Sequence, residues 1–138
     1  LRELTARVET SFVIDTLKYL HRGGRCSGLA ALGANILKLK PCIEMKNGKM
    51  DVGKKYRGGF DTVILQYIKD RLAGRGDVDH RRIFMTHTSG VSDETLARVR
   101  RTILDCGPFA EIYDTVAGCT ISNHSGPGTL GVLWLRTQ

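Results

Sequence analysis

The sequence lacks the short motifs that mark most nucleotide-dependent, metal-dependent and hydrolytic enzymes. It contains no P-loop and no G-x-S-x-G nucleophile elbow. Its cysteines, Cys26, Cys42, Cys106 and Cys119, form no C-x-x-C pair, and no cysteine–histidine spacing resembles a zinc site. We therefore expect no metal and no resident cofactor, and we expect the cysteines to be buried free thiols in a reducing cytoplasm.

Long apolar runs and aromatic residues are also scarce. No run approaches the roughly 18 residues needed to span a membrane, and 4 Phe, 4 Tyr and 1 Trp form no aromatic–basic motif of the RNA-binding type. With 138 residues, 41% of them hydrophobic, the chain is long enough for one domain with its own core. Its first four residues are too polar for a signal peptide, and because the chain starts at Leu1 and not at a methionine we expect a fragment or a processed piece.

Basic residues outnumber acidic residues. The formal net charge is +7, with many lysines and arginines in residues 38–57 and 71–101. Such a surface favours an anionic partner, which includes nucleic acid, phosphate, a membrane surface or an acidic protein. A solvated basic surface without a partner is the commoner explanation. We expect no nucleic-acid partner, and keep a basic nucleic-acid-binding module as an alternative function.

The hydrophobic pattern predicts an α/β fold, a single domain with one mixed β-sheet and helices packed on it. Helices are predicted at residues 1–9, 17–21, 28–39, 61–72 and 92–106. Strands are predicted at residues 11–14, 83–85, 110–116, 118–121 and 132–135. Small residues dominate the helix at 28–39, which makes it either a closely packed element or the wall of an apolar slot.

Asn47-Gly48 is the strongest local signal, because this dipeptide is typical of a type I′ hairpin turn. A two-residue turn pairs Lys46 with Lys49, and it continues outward to pair residue 43 with residue 52. Ile43, Met45, Met50 and Val52 then share one face. We expect that face to point toward the core and the charged face to be solvated.

The stretch at residues 122–131 carries the most chemistry, because it places a histidine, hydroxyls and glycines between two predicted strands. Backbone N–H groups around Gly126 and Gly128, with His124 beside them, are suited to holding an anion. The alternative is a tight strand connection whose histidine caps the turn. A hydrolase that uses Ser125 and His124 is a further alternative, although the sequence identifies no third catalytic group.

The order of several motifs carries a resemblance to a known family. Gly23-Gly24-Arg25 is followed by Leu39-Lys40-Pro41, by Tyr56-Arg57-Gly58 and finally by His124-Ser125-Gly126-Pro127-Gly128. In this order they resemble the C-terminal domain of the DegV family of bacterial fatty-acid-binding proteins, over nearly the whole chain. Two positions depart from the family pattern: Cys26 stands where isoleucine is usual, and Gly59-Phe60 replace a more basic continuation.

The resemblance implies the C-terminal half of a two-domain lipid-binding protein, whose own N-terminal domain supplies hydroxyl groups to the fatty-acid carboxylate. It implies a carrier and not an enzyme: the family presents a long-chain fatty acid to a separate fatty acid kinase, which makes an acyl phosphate for phospholipid synthesis. No catalytic residue and no cofactor follow, only the bound acid, and peripheral membrane contact is compatible with this role.

The resemblance also assigns residues. The ligand-binding residues that it implies are His124, Ser125, Gly126, Gly128, Gly24 and Arg25. His124 falls on the histidine beside the carboxylate. Arg57 falls on a partner-binding arginine that faces the kinase. The residues that follow Arg57 are less basic than in the family pattern, so this sequence departs from the family next to the proposed kinase contact.

Overall fold

The computed structural model describes residues 2–24 and 38–138. The helices of the described chain are α1 (Arg2–Thr5), α2 (Lys18–Gly23), α3 (Phe60–Leu72), α4 (Asp93–Cys106) and α5 (Cys119–Ser125). The strands are β1 (Val8–Ile14), β2 (Lys40–Lys46), β3 (Lys49–Tyr56), β4 (Val78–His87), β5 (Glu111–Val116) and β6 (Thr129–Arg136). Within the described residues, every helix is too short or too polar to cross a membrane.

The strands form one six-stranded mixed sheet in the order β3-β2-β1-β6-β4-β5. Only β4 and β5 are parallel, and all other neighbours are antiparallel. Ile14 pairs with Thr129, and His87 pairs with Leu130, so β1 and β4 end at the edge where β6 begins. We call this the upper edge of the sheet. The predicted mixed sheet in a single α/β domain is confirmed.

Helices α3 and α4 cover one face of the sheet and make the main core. Their buried apolar side chains, which include Ile64, Ile68, Val99 and Ile103, belong to one cluster with Val132 of the central strand. Tyr67 of α3 lies at the centre, 0% exposed. The apolar stripe predicted for residues 61–72 is confirmed, because Val63, Ile64, Tyr67, Ile68 and Leu72 are all buried.

The opposite face of the sheet is only partly covered. Near the upper edge, Leu17 and Leu20 of the α2 region form a smaller buried cluster with Ile14, Ile43 and Leu39. Farther from the upper edge, Phe84 and Val8, whose side chains lie on this face, are 37% and 44% exposed. We call this side the open face, since much of its apolar surface is exposed in the part of the chain that the structure describes.

The predicted hairpin is confirmed in its register: Lys46 pairs with Lys49 and Ile43 with Val52. Asn47 has the positive φ of 51° that this turn type needs. The expected burial is wrong for Met45, which is 39% exposed because it lies on the open face. The expected solvation of the charged face is also too simple, because Arg71 of α3 reaches Glu44 at 3.2 Å and half-buries it.

Several predicted ends are confirmed and two segments are wrong. Ser92 caps α4, its hydroxyl accepting the Thr95 N–H at 3.1 Å, and Gly107 follows the helix. The segment 118–121, predicted as a strand, contains the N-cap Gly118 and the first turn of α5, and the strand before it has already ended at Val116. A four-residue run is too short for its periodicity to separate a strand from a helix.

At the other end of the chain, the helix predicted at 1–9 is confined to Arg2–Thr5. Residues from Val8 onward pair with β6 instead, and this ladder of backbone hydrogen bonds outweighs the helical spacing of the apolar residues. The helix predicted at 28–39 lies almost wholly outside the described residues, as does Cys26. Cys42 is a buried free thiol whose pKa burial raises to about 12, but Cys119 is exposed and contradicts the expectation of burial.

Candidate ligand-binding site

The described candidate residues lie at the upper edge of the sheet or on the elements next to it. Strand β3 ends at Tyr56, opposite the first residue of β2, so the exposed Arg57 follows at this edge. Helix α2 follows β1, and α5 precedes β6, so both connect strands at the same edge. The structure thus brings together residues that are far apart in sequence, while Arg25 lies outside the described residues.

His124 stands where α2 meets α5. It belongs to the last turn of α5, whereas the sequence had suggested a position at the end of a strand. A Cβ placed on Gly23 would lie 2.6 Å from His124 Nδ1, so the imidazole packs against the bare backbone at the end of α2. Gly24, next to it, caps α2 with a left-handed φ of 60°. His124 and Gly24 therefore belong to one junction.

Gly126 packs against the same helix from the other side. Its φ is 82°, and a Cβ there would collide with the ring of Tyr19. Gly128, with a φ of 69°, lies against Asp15, and its carbonyl accepts the Asp15 N–H at 3.0 Å. These glycines let the chain turn tightly from α5 into β6 while it touches α2 and the end of β1.

The turn does not provide the backbone donors that we expected for an anion. The Gly126 N–H donates to Ser122 at 2.8 Å, the Gly128 N–H donates to Ser89 at 2.7 Å, and Pro127 has no N–H. The Thr129 N–H donates to the Thr88 hydroxyl at 3.0 Å. Since these groups already bond to the protein, donors for an anion must come from side chains or from other segments.

Residues 126–131 also have the G-x-G-x-x-G spacing of a dinucleotide-binding loop. Such a loop connects a strand to a helix, whose N-terminus holds the pyrophosphate. Here the order is reversed, because the glycines connect α5 to β6. The spacing therefore indicates no nucleotide site.

A cavity of about 360 Å³ lies on the open face, directly below the α5 turn. Its wall is formed largely by apolar groups, among them Phe12, Met45, Met50, Ile121 and Leu133. Gly131 forms part of the floor, and a Cβ there would lie 2.6 Å from the Ser11 carbonyl oxygen and 2.8 Å from Phe12 Cβ, so β1 approaches β6 closely at this point. Side chains alternate between the two faces along β1 and β6, which places Phe12 and Leu133 opposite the main core.

The upper end of the cavity is polar. It is lined there by Ser125, His87, Thr88 and Thr129. The Thr88 hydroxyl donates to the Gly126 carbonyl at 2.8 Å, and the Ser125 hydroxyl donates to the Ile121 carbonyl at 2.7 Å. Of the candidate residues, Ser125 thus reaches the cavity directly, whereas His124 stands on the neighbouring side of α5, toward α2.

His87 is a polar residue of this cavity to which the sequence assigned no ligand-binding role. Its Nδ1 lies 3.0 Å from the Thr88 carbonyl, and its Nε2 lies 3.3 Å from an Asp114 carboxylate oxygen. Two acceptors therefore flank the ring and fix its orientation. Within residues 2–24 and 38–138, no three histidine, cysteine or acidic side chains are grouped closely enough to hold a metal ion.

Comparison with known proteins identifies related chains. A family model described as "Uncharacterised protein, DegV family" matches residues 1–137. The protein named DegV from Bacillus subtilis is 29% identical over 135 residues, which cover 97% of this chain and 47% of that protein. The chain spans about half the length of the curated relatives that it matches first.

Solved structures share the fold. A structure described as showing fatty acid binding of a DegV family protein from Thermus thermophilus is 27% identical, with a TM-score of 0.73, over 98% of this chain and 48% of that one. The Fatty Acid Kinase (Fak) B3 protein of Streptococcus pneumoniae, solved with linoleic acid, is 18% identical, with a TM-score of 0.78, over 97% and 46% of the two chains.

Proposed function

The chain belongs to the DegV family, and on this premise we propose that it binds a long-chain fatty acid as the C-terminal half of a two-domain protein. The observation that carries the proposal is the shape and chemistry of the cavity on the open face. Apolar side chains such as Phe12 and Leu133 line its body, and Ser125, Thr88 and His87 line one end. An acyl chain with a single carboxylate has the same division into apolar and polar parts.

The energetics fit such a ligand. Each buried methylene contributes about 0.8 kcal/mol, so a chain of about sixteen carbons contributes on the order of 10 kcal/mol before ordering costs. A carboxylate taken out of water needs donors or a positive charge in return. His124, held at the α2–α5 junction on the side of α5 next to Ser125, is the donor that we propose on this chain.

The rest of the carboxylate site is proposed to come from the protein's own N-terminal domain. The backbone N–H groups of Gly126 and Gly128 already donate to carbonyl groups of this chain. This turn therefore offers few donors to the carboxylate. Calorimetry on the isolated chain and on the full-length protein tests this division. We expect much weaker binding to the isolated chain, and equal affinity would mean that the site lies wholly within residues 1–138.

We further propose that the protein is a carrier, located in the cytoplasm, that presents the carboxylate to a separate fatty acid kinase for acyl-phosphate formation and phospholipid synthesis. The structural relative from Streptococcus pneumoniae is named for a fatty acid kinase, as the Fatty Acid Kinase (Fak) B3 protein. Arg57 is exposed at the upper edge, the edge next to which His124 stands, and is the partner-binding residue that we propose. Peripheral contact with a membrane is compatible with loading such a carrier.

Two observations weigh against the alternatives. For a hydrolase, Ser125 would need a base, but its hydroxyl donates to the Ile121 carbonyl while the His124 ring packs against Gly23. For a nucleic-acid-binding module, the basic side chains should be free, but Arg71 and Arg81 are held in ion pairs with acidic neighbours. An esterase assay and a salt-dependent gel shift test these two functions directly.

Native mass spectrometry of the full-length protein purified from cells tests the proposed function. A copurifying fatty acid should appear as added mass that organic extraction removes, and extracted acid should re-bind. A protein that carries no lipid and binds none of a series of fatty acids would contradict the proposal.

A further inference from the structure

The open face carries a second apolar depression, about 230 Å³ in volume, below the first cavity. Its lining includes Val8, Phe84 and Leu135, with Arg82 at the rim. Leu133 lines both cavities. The two spaces therefore adjoin, with one side chain between them.

The register of the sheet explains why Leu133 separates them. On the central strand, side chains at alternate positions face the open side, so Gly131, Leu133 and Leu135 follow one another downward. Gly131 pairs with Phe12 and Thr86, and because it has no side chain the floor of the upper cavity at this position is backbone. Leu133 pairs with Thr10 and Phe84, and its side chain lies between these two residues in the next row across the sheet.

The length of each space can be compared with an acyl tail. From Thr129 to Leu133 the strand advances four residues, about 13 Å at roughly 3.3 Å each, and to Leu135 about 20 Å. The hydrocarbon core of a bilayer is about 30 Å thick and holds two tails end to end, so a membrane-length tail occupies about 15 Å. A tail bent as in a bilayer covers the distance from the polar end to Leu133, and a fully extended tail of about sixteen carbons is longer than that distance and meets the Leu133 side chain.

We propose that Leu133 is a specificity-determining residue that sets the length of the bound acyl chain by closing the upper cavity against the lower one. This inference rests on the proposed function. The methyl end of a tail of membrane length stops at the Leu133 side chain, and a longer tail must displace that side chain or fold back. The lower cavity is an extension that the native sequence keeps closed.

The test uses the full-length protein, stripped of lipid and mixed with equal amounts of saturated fatty acids from about 14 to about 22 carbons. Native mass spectrometry reads the distribution of bound acids. Leu133→Ala should join the cavities and shift the distribution to longer acids. Because each buried methylene is worth about fourfold in affinity, two more in the lower cavity raise the preference for the longer acid by roughly fifteenfold.

Two further variants keep the test decisive. Leu133→Trp should shift the distribution toward shorter acids, and Leu133→Ala combined with Leu135→Trp, which refills the lower cavity, should restore the native distribution. Leu104→Ala, on the far face of α4 and 48% exposed, is the matched control and should change nothing.

The outcomes separate the two claims. A native protein that binds none of the acids contradicts the proposed function itself. Native binding with the same length distribution in folded Leu133→Ala or Leu133→Trp overturns the role of Leu133 and leaves the proposed function standing. Thermal melting shows which variants are folded.

Discussion

The Tyr67 hydroxyl accepts the backbone N–H of Val132 at 3.2 Å and at the same time donates to the Ser11 carbonyl at 2.7 Å. Ser11 and Val132 are paired residues of β1 and β6. One phenol from α3 therefore joins two strands at the centre of the sheet, on the face opposite the candidate site. Burial raises the pKa of this phenol far above its ordinary value, so it remains a neutral donor at any physiological pH.

Tyr67→Phe should lower the free energy of unfolding by about 1–3 kcal/mol, because it leaves a buried N–H and a buried carbonyl with one partner fewer. Urea denaturation measures the change. Tyr113→Phe is the matched control, since Tyr113 is 41% exposed, and should change stability by less than about 0.5 kcal/mol. If both substitutions changed the free energy of unfolding equally, the hydrogen bonds of the Tyr67 hydroxyl would not stabilise the pairing of β1 with β6.

Gly126→Ala should destabilise the protein more than Gly74→Ala. Both glycines have positive φ, 82° and 71°, so both substitutions carry a backbone cost of about 1–2 kcal/mol. Only at Gly126 would the new Cβ also collide with Tyr19, whereas Gly74 has nothing within 4 Å. Comparison of the two melting temperatures isolates the packing of the turn against α2, and similar losses would contradict that contact.

Asp79 should contribute stability that acid removes. The Arg81 guanidinium donates to its carboxylate at 2.6 Å, and this pairing lowers the pKa of Asp79 from 3.8 to about 2. A depressed folded-state pKa stabilises the protein above the unfolded value and loses that contribution as the pH falls through the folded value. The stability difference between the native protein and Asp79→Asn, roughly 0.5–1 kcal/mol at neutral pH, should therefore shrink between about pH 4 and about pH 2.

Arg81→Ala provides the check on that cause. In its background Asp79→Asn should have a smaller effect, because the guanidinium is gone and only the Arg81 backbone N–H, 3.0 Å from Asp79 Oδ1, still donates to the carboxylate. Urea denaturation at a series of pH values measures both. A difference that stays constant down to pH 2 would assign the acid sensitivity to other carboxylates.

Local signals in the sequence predicted local structure well. Asn47-Gly48 sets the hairpin register, and the spacing of Val63, Tyr67 and Leu72 sets the buried face of α3, because each depends on neighbours within a few positions. The cavity depends instead on which strands become neighbours. Nothing in the sequence places β6 between β1 and β4, and only that order brings Phe12, Gly131 and Thr86 side by side.

The same distinction explains the candidate site. The motif order pointed to His124, Ser125 and the glycines, and the structure groups them at one end of α5. His87 follows a strand at the same edge, but a histidine in that position has no local signature that assigns it a role, and its partner Asp114 comes from the parallel neighbour β5. Residue roles at this site remain predictions, which the following two variants address.

Arg57→Ala should slow phosphorylation of the bound fatty acid by the partner kinase while the affinity for the acid stays nearly unchanged. Arg57 is exposed at the upper edge and precedes Gly58, whose φ of 112° turns the chain away from the sheet. Loss of one charge-assisted hydrogen bond, about 1.5–3 kcal/mol, corresponds to a roughly 10-fold or larger fall in kcat/KM at sub-saturating carrier.

Arg98→Ala, which removes an exposed arginine from the outer side of α4, is the matched control for net charge. It should leave the kinase rate unchanged. If both variants slow the kinase equally, the effect belongs to overall charge and the assignment of Arg57 as a specific contact is wrong.

His124→Ala should weaken fatty-acid binding by the full-length protein by roughly 10- to 150-fold, the equivalent of one charge-assisted hydrogen bond of about 1.5–3 kcal/mol. The fold should survive, because the imidazole packs against the backbone of Gly23 and it is the glycines that make the turn. His21→Ala is the matched control, since His21 is an exposed histidine of the neighbouring helix α2. Fatty-acid titration and thermal melting of both variants decide the role of His124: a variant that melts far lower yet binds normally once folded would make this histidine a structural residue, and the carboxylate would then have to be held by the N-terminal domain.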